Sequence, residues 1–157
     1  MANTTECMEK IEALRAYLIN EEGFSAEEVE EISETQWHSF EVCGREYEVL
    51  TFEESTDAAV EKIHETLWAF NPRFVLEHTE FYKASSAYDD FAFVEALELI
   101  QAKLCEGANP IVRALIVDLE EFARDAIECD GVGHFLASYD GEEIELELGK
   151  FYAYRVN

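Results

Sequence analysis

The sequence predicts an α+β fold in which five or six helices pack on a small antiparallel sheet built from two hairpin-like strand groups. Two observations lead to this prediction. Several long stretches repeat apolar residues at three- and four-residue spacing, and two shorter stretches alternate apolar with polar residues around a glycine turn. Because 157 residues is an ordinary length for one hydrophobic core, we expect a single domain over residues 1–157.

The N-terminal segment has the pattern of two helices. Between residues 5 and 19, four apolar residues recur at helical spacing: Met8, Ile11, Leu14 and Leu18. A short acidic helix is then predicted from Ser25 to about Thr35, because Ser25 and Glu28 form a Ser-x-x-Glu capping pattern. Val29 and Ile32 are its only apolar anchors.

A hairpin and a helix are predicted next. Alternating apolar residues surround Gly44, which predicts strands at 38–43 and 46–51. Ser55 or Thr56 could cap the following helix, whose buried stripe contains Val60, Ile63 and Leu67. Pro72 suits the first turn of another helix that runs to about His78.

The middle of the chain is predicted to be helical after a polar and aromatic loop at residues 80–89. Asp89 or Asp90 should cap a helix that Gly107 ends, and Pro110 should open a short one. A further helix stops before Gly131. The apolar residues that these three helices should carry are Phe93, Val94, Leu97, Ile100, Leu104, Ile111, Leu115, Leu119, Phe122 and Ala126.

The last 25 residues are predicted to form strands. Asp140 and Gly141 supply the backbone angles that a two-residue hairpin turn requires, so residues 134–139 and 142–148 should pair as a hairpin. Residues 151–156 should add a third strand after Gly149.

The charge of the chain is the feature that bears most on function. There are 36 Asp and Glu against 11 Lys and Arg, a net charge of −25. Residues 21–61 hold fourteen acids and one base, and residues 118–147 hold eleven acids and one base. Such a chain repels nucleic acid and anionic lipid and associates rapidly with basic surfaces. Its 48% hydrophobic content excludes the usual acidic disordered tail.

Two acidic sets are the candidate binding residues. The first lies on the predicted acidic helix: Glu27, Glu28, Glu30, Glu31 and Glu34. The second lies on the predicted strand 142–148: Glu142, Glu143, Glu145 and Glu147. Of these, the carboxylates of Glu143, Glu145 and Glu147 should stand about 6.7 Å apart on one face of the strand. Alternatively, the first set only keeps the chain in solution, and the second only protects an edge strand from aggregation.

The sequence contains no pattern that predicts catalysis, a metal or a cofactor. His78 lacks the second histidine of a zinc motif, the glycines near Gly131 precede a predicted strand, and Ser85 and Ser86 lack a nucleophile elbow. No two of the four cysteines form a C-x-x-C pair, which indicates reduced thiols. With no predicted membrane span or secretion signal, we expect a cytoplasmic protein. A cleft in which a histidine and a carboxylate converge with displaced pKa values would favour an enzyme instead.

Two segments together suggest a family. They are Leu67-Trp68-Ala69-Phe70-Asn71 with Phe74, and Asp130-Gly131-x-Gly133-His134-Phe135 followed by Tyr139-Asp140-Gly141-Glu142-Glu143 and Phe151-Tyr152-x-Tyr154-Arg155. Over roughly residues 45–157 the chain resembles small acidic uncharacterised proteins of bacteriophages and mobile elements. That group has no assigned activity, so the resemblance transfers no functional residues. It implies that inhibition of host defence is one possible role.

The function we expect is nucleic-acid mimicry: an acidic protein that inhibits a host DNA- or RNA-binding defence protein of the restriction or CRISPR kind. The alternative is a generic acidic domain without mimicry. If the charge were spread evenly over a surface of about 8,000 Å², there would be one net charge per roughly 320 Å². Duplex DNA carries about one per 110 Å² of its surface. Mimicry therefore requires acidic residues to concentrate on one face.

Overall fold

The computed structural model describes residues 4–36, 38–84 and 90–157. The chain divides into two compact units, the first made of Met1–Ala59 with Asp130–Asn157 and the second of Val60–Cys129. Compact units need not be separate domains, so the single domain over 1–157 stays a prediction. The first unit holds 22 acids against 5 bases, a net −17, and the second holds 14 against 6, a net −8. Most of the negative charge thus belongs to the first unit.

The described residues form the predicted α+β fold, with helices and one antiparallel sheet. The helices are α1 (Thr4–Asn20), α2 (Phe52–Glu65), α3 (Pro72–Glu77), α4 (Glu80–Ala84), α5 (Asp90–Leu104), α6 (Asn109–Leu115), α7 (Leu119–Asp130) and α8 (Val132–Leu136). The strands are β1 (Ser33–Gln36), β2 (Ser39–Val42), β3 (Arg45–Leu50), β4 (Glu143–Leu146) and β5 (Phe151–Arg155). No described helix has the length and apolar character that crossing a bilayer demands.

The sheet lies in the first unit and has the strand order β1-β2-β3-β5-β4. All four neighbouring pairs are antiparallel, so the two predicted strand groups combine into one sheet through the β3–β5 pair. The first and last strands in this order, β1 and β4, are its two edges. Four strand spacings separate them, about 19 Å.

One face of the sheet is covered by α1 and forms the core of this unit; we call it the helix face. Helix α1 contacts β3, β4 and β5. The buried cluster consists of Ala13, Leu14, Leu18, Val29, Phe40, Val42, Tyr47, Val49, Leu146, Phe151 and Ala153. Each large side chain that leaves water here stabilises the fold by about 1.5–3 kcal/mol. Helix α2 begins on the other face, where the rings of Phe52 and Tyr152 lie 6.2 Å apart.

Helix α1 forms as predicted, but Met8, one of the four residues of its predicted apolar stripe, is not buried. Met8 is 58% exposed, whereas Lys10 is 1% exposed. Lys10 precedes Leu14 by one turn, so it occupies the apolar stripe of the helix. A charged residue in that stripe was not expected to be buried.

The predicted acidic helix from Ser25 to Thr35 is wrong. The Ser25–Glu28 capping contact does form, with Ser25 N 2.8 Å from Glu28 Oε2, but residues 26–31 are turns and β1 follows. Like charges four residues apart disfavour the helix. Pairing with β2 satisfies the backbone of Ser33–Gln36 instead, and Val29 fills the core beside α1.

The predicted strands 38–43 and 46–51 correspond to β2 and β3, so this hairpin is confirmed. Helix α2 begins earlier than either predicted cap. Thr51 caps it, because Thr51 N donates to Glu54 Oε2 at 2.8 Å and Glu54 N donates to Thr51 Oγ1 at 3.3 Å. Ser55 lies inside the first turn, and its hydroxyl donates to the Thr51 carbonyl oxygen.

In the second unit, helices α3, α5, α6 and α7 follow the predicted order. Asn71 caps α3 by accepting from Arg73 N, with Pro72 in the first turn. The predicted loop 80–89 is helical over Glu80–Ala84, and residues 85–89, including Ser85, Ser86 and the alternative cap Asp89, lie outside the described residues. Gly107 does not end the helix before it, since Cys105–Ala108 continues as a 3-10 turn.

A histidine belongs to the aromatic cluster of this unit. The centre of the His78 ring lies 4.8 Å from that of Phe74, in a tilted arrangement, and 5.0 Å from that of Phe122, edge to face. His78 Nδ1 lies 2.9 Å from the Phe74 carbonyl oxygen, and Nε2 lies 3.1 Å from Asp125 Oδ2. His78 is thus a packed side chain with two hydrogen-bond acceptors.

The predicted strand 134–139 is wrong, because residues 132–136 form helix α8. Gly133 is the reason that this segment approaches the sheet so closely. A Cβ at this position would lie 2.7 Å from the Gly141 carbonyl oxygen and 2.8 Å from Glu143 N. Only glycine permits that contact.

The last two strands form, but they pair with each other instead of with 134–139. Strand β4 pairs with β5 through a turn at Glu147–Gly149. Leu148, which belongs to the predicted strand 142–148, lies in this turn with φ of 56° and is fully exposed. The predicted turn at Asp140 and Gly141 lies outside the strand pair.

Candidate functional site: a carboxylate face of the sheet

The face of the sheet opposite α1 carries five glutamates, and we call it the carboxylate face. The register places residues that are Cα partners on the same face of a sheet. Its first three glutamates are Glu41 on β2 with Glu46 and Glu48 on β3. The register of β3 with β5, and of β5 with β4, adds Glu143 through Tyr154 and Glu145 through Tyr152.

Three of these carboxylates are exposed and two are half-buried. Glu41, Glu143 and Glu145 are exposed, whereas Glu46 and Glu48 are intermediate. Glu41 and Glu46 are direct cross-strand partners. Two carboxylates in that position repel each other, since partner side chains lie about 5 Å apart at their Cβ atoms.

Hydrogen bonds from hydroxyl groups hold two members of this face. Ser39 Oγ donates to Glu46 Oε1 at 2.6 Å, and Thr35 Oγ1 lies 3.3 Å from the same oxygen. The buried Tyr154 hydroxyl donates to Glu143 Oε2 at 2.7 Å. Burial raises the pKa of Tyr154, and the Glu143 carboxylate raises it further, so the phenol stays a donor. Glu143 is therefore positioned as a carboxylate at the sheet surface.

The cations of the described strands lie away from this face. Arg45 and Arg155 have register positions on the helix face, as partners of Val42 and Tyr47. The Arg45 guanidinium lies 3.2 Å from Glu22 Oε2. The Arg155 guanidinium lies 3.6 Å from the centre of the Tyr139 ring. No lysine or arginine of the described strand residues occupies the carboxylate face.

The structure divides the second predicted acidic set. Glu143 and Glu145 are on the carboxylate face, and Glu142 is exposed just before β4. Glu147 lies in the turn after β4, where its carboxylate is 3.9 Å from Lys150 Nζ. The predicted row of three carboxylates on the strand is therefore a row of two. Lys150 also binds Glu9 at 3.0 Å, and this contact raises the pKa of Lys150.

The structure separates the first predicted acidic set from the second. Glu27, Glu28, Glu30 and Glu31 are exposed on the turns before β1, and Glu34 lies on β1 itself. Strand β1 is the edge opposite β4, so the two sets do not adjoin. Glu34 pairs with Phe40, which places it on the helix face, where it accepts from Cys7 Sγ at 3.3 Å.

Glu28 is already engaged in local structure. Its carboxylate accepts hydrogen bonds from Ser25 N and Ser25 Oγ, both at 2.8 Å, and these bonds lower the pKa of Glu28.

The acids that join Glu143 and Glu145 on one face of the sheet are Glu41, Glu46 and Glu48. Sequence reasoning missed these three because their alternation with apolar residues shows only that they leave the core.

A second cluster of charged residues lies inside the first unit, and the sequence did not predict it. Lys10 Nζ lies 2.8 Å from His38 Nδ1, 2.8 Å from Glu54 Oε2 and 3.3 Å from Glu6 Oε1. His38 Nε2 lies 3.3 Å from Glu54 Oε1. An ammonium group can only donate, so His38 Nδ1 accepts and the proton is on Nε2. The ring is therefore neutral and donates to Glu54.

The pKa values of this cluster follow from its contacts. Burial lowers the pKa of His38, and the charge of Lys10 lowers it further, against the carboxylates of Glu54, Glu6 and Glu34. Burial would raise the pKa of Glu54, but Lys10 and the Thr51 amide outweigh it, so the net shift is downward.

A histidine and a carboxylate with displaced pKa values therefore do converge, which is the feature that would favour an enzyme. However, Lys10 is 1% exposed and donates to three neighbours. The cluster links α1, the β1–β2 turn and α2, and its contacts are those of a structural network.

Two histidines of the second unit are explained by their contacts within the fold. His64 Nε2 lies 3.5 Å from the Leu119 carbonyl oxygen, and His78 is packed as described above. Within the described ranges, no group of three or more His, Cys, Asp and Glu side chains is arranged to hold a metal ion. All four cysteines have free thiols.

Comparison with known proteins finds no matching protein family, no matching curated protein and no matching solved structure.

Proposed function

We propose that this chain is a non-enzymatic acidic binding protein whose carboxylate face occupies the basic, nucleic-acid-binding surface of another protein. The observation that carries the proposal is the register that places Glu41, Glu46, Glu48, Glu143 and Glu145 on one face of the sheet. No described strand position on that face is basic. A positively charged groove would meet an array of anions there.

The density of charge on this face supports the proposal. One side chain on a sheet face occupies about 32 Å², the product of the strand spacing and the two-residue repeat. The nine positions on β2, β3, β5 and β4 then cover about 290 Å², with one carboxylate per roughly 60 Å². The three exposed glutamates alone give one per roughly 100 Å². Duplex DNA presents about one phosphate per 110 Å², so this face reaches the density that an evenly charged surface would lack.

The energetic cost of the arrangement also supports a role in recognition. Glu41 and Glu46 are partners across the β2–β3 pair, where like charges are destabilising. The fold does not require a charge at the exposed Glu41 position, because a neutral polar residue would serve a solvated surface equally well. A destabilising charge pair is expected where binding depends on it.

In its specific form, the proposal is that the partner is a host defence protein that binds DNA or RNA, of the restriction or CRISPR kind, and that the site of action is the cytoplasm. The net charge of −25 supports this form, because it would repel nucleic acid and anionic membranes. The resemblance to phage proteins that the sequence suggests is the reason for choosing a host defence protein as the partner. The first acidic set lies on and before β1, the edge of the sheet opposite the β4 residues Glu143 and Glu145, and we assign Glu27, Glu30 and Glu31 to solubility.

The experiment is a titration of purified restriction and CRISPR effectors with this protein, with and without their DNA or RNA. Binding should compete with nucleic acid and should weaken by orders of magnitude between about 50 and 200 mM salt, as multi-phosphate contacts do. A triple variant, Glu41→Gln/Glu143→Gln/Glu145→Gln, should lose most of the affinity.

The matched control is Glu27→Gln/Glu30→Gln/Glu31→Gln, which removes the same charge from the turns before β1 and should bind nearly as well as the parent. Equal loss in both variants would indicate a general charge effect and support the alternative of a generic acidic domain. Binding that is indifferent to salt and to nucleic acid would overturn the proposal.

A further inference from the structure

The outer side of α5, in the second unit, is an apolar helix face that no described part of the chain covers. Leu99 is 58% exposed at its centre, and Phe91 is 65% exposed near its start. A shallow groove follows the same side, lined by Ala92, Glu95, Ala96, Glu98, Leu99 and Ala102. The opposite side of the helix is anchored by Leu97, which is 2% exposed.

Helical geometry makes these residues a single stripe. At 100° per residue, Ala92 and Leu99 lie within about 20° of each other, and Glu95 and Lys103 flank Leu99 at about 40° on either side. Ala96 and Ala102 lie further out on the two flanks. The stripe therefore has a leucine at its centre and small residues around it, with Glu95 and Lys103 on either side of the leucine and Glu98 at the margin of the groove.

We propose that this face binds a second copy of the same chain, with the two α5 helices antiparallel and related by a two-fold axis at Leu99. Two-fold symmetry makes the contact self-complementary, and the residues on this face suit that arrangement. Residues equally distant from Leu99 lie level with each other across the axis. Ala96 of one copy lies level with Ala102 of the other, and small residues at these positions allow the helices to approach closely.

Charge complementarity is the reason for choosing a second copy as the occupant. In the antiparallel pair, Glu95 of one copy lies level with Lys103 of the other, and the symmetry repeats the contact. Within one helix these two residues are eight positions apart, about 12 Å along the axis, and cannot form a pair. A parallel arrangement would place Glu95 level with Glu95, and Lys103 level with Lys103.

The size of the face sets the expected affinity. Helix α5 has 15 residues and is about 22 Å long. One face of a helix of this length buries less area than the roughly 800 Å² per partner of a standard stable interface. The dimer should therefore be weak, with a dissociation constant in the micromolar to millimolar range.

The test is sedimentation equilibrium of the full chain over a wide concentration range, with charge-swap variants. Glu95→Lys alone places two lysines together at each pair and should weaken dimerisation by about tenfold, and Lys103→Glu alone should do the same with two acids. The double variant Glu95→Lys/Lys103→Glu restores opposite charges only if the two residues meet between copies, so it should return to near the parental value. Leu99→Asp should abolish the dimer.

Circular dichroism of each variant verifies that the monomer still folds, since all the substituted side chains are exposed. A chain that stays monomeric at millimolar concentration overturns the proposal, as does a dimer whose affinity the double variant fails to restore. Neither result depends on partner binding by the carboxylate face, which lies in the first unit.

Discussion

Lys10 and His38 meet with 2.8 Å between the lysine Nζ and the histidine Nδ1. The contact joins the buried stripe of α1 to the turn between β1 and β2, where His38 adopts a φ of 62°. A neutral ring is required, because Nδ1 accepts from the ammonium group while Nε2 donates to Glu54. The stability of the first unit therefore depends on the protonation state of His38.

The first prediction concerns pH. Since the pKa of His38 is lowered on folding, the unfolded chain takes up the proton first as the pH falls. The stabilisation from the neutral ring is complete above the unfolded value of about 6.5 and is lost as the pH falls towards the lowered folded value. The lowered pKa of Glu54 adds a similar loss below its ordinary value of 4.5.

The measurement is urea unfolding at several pH values between about 7.5 and 5, for the parent and for His38→Asn. Asparagine tolerates the positive φ and does not titrate. Acidification also neutralises surface carboxylates and relieves repulsion, so the difference between the two proteins is the quantity to follow. It should shrink as the pH falls, and a constant difference would contradict the neutral ring.

The second prediction concerns the buried ion pair. Lys10→Met leaves the half-buried Glu54 without its ammonium partner, and we expect a loss of about 1–3 kcal/mol in the free energy of unfolding, discounted for the exposure of Glu54. Adding Glu54→Gln to this variant removes the unpaired charge and should recover part of the loss. Chemical denaturation of both variants tests this. If the double variant is less stable by the sum of the two single effects, the residues are not coupled.

The third prediction concerns the like-charge partners Glu41 and Glu46. Glu41→Gln removes the repulsion across β2–β3 and should stabilise the protein by about 0.2–1 kcal/mol. Glu30→Gln is the matched control, since it removes the same charge from an exposed turn and should have a smaller effect. Thermal denaturation at low salt compares the two. Equal gains in stability would show that only the net charge matters.

The fourth prediction concerns Gly133. Gly133→Ala should destabilise the protein by about 2 kcal/mol or more, because the new methyl group would meet backbone atoms that cannot move aside. At Gly107 the nearest heavy atom to an added Cβ is the Leu104 Cβ at 3.8 Å, and its backbone needs no positive φ. Gly107→Ala should therefore be neutral or slightly stabilising. Comparing the melting temperatures tests the close approach of α8 to β4.

Local patterns predicted the elements whose signals are complete within a few residues. The β2–β3 hairpin was found because Phe40, Val42, Tyr47 and Val49 alternate around Gly44, and all four are buried. The helix that starts at Pro72 was found because proline suits a first turn. In both cases the local preference and the final environment agree.

Elements that depend on distant partners were missed. The segment 134–139 alternates like a strand, yet β4 pairs with β5, and Gly133 allows residues 132–136 to pack as a helix close to β4. The acidic helix failed for a similar reason, since β2 offers Ser33–Gln36 a pairing partner that no local pattern reveals.

The candidate site was predicted only in part. The strand periodicity correctly placed Glu143 and Glu145 on one face, because alternation fixes side-chain direction within a strand. It could not show that Glu41 and Glu46 share this face, because that depends on a register between strands a hundred residues apart. The burial of Lys10 could not be foreseen either, since a lysine in an apolar stripe normally extends to solvent.

The most direct test of the carboxylate face is to map where a basic ligand binds. Backbone amide shifts in NMR spectra would be followed as an oligoarginine peptide is added to the full chain at low salt. We expect the largest changes at Glu41, Glu46, Glu143 and Glu145, and small changes at residues 27–31. Changes centred on 27–31, or spread evenly over all exposed acids, would contradict the account.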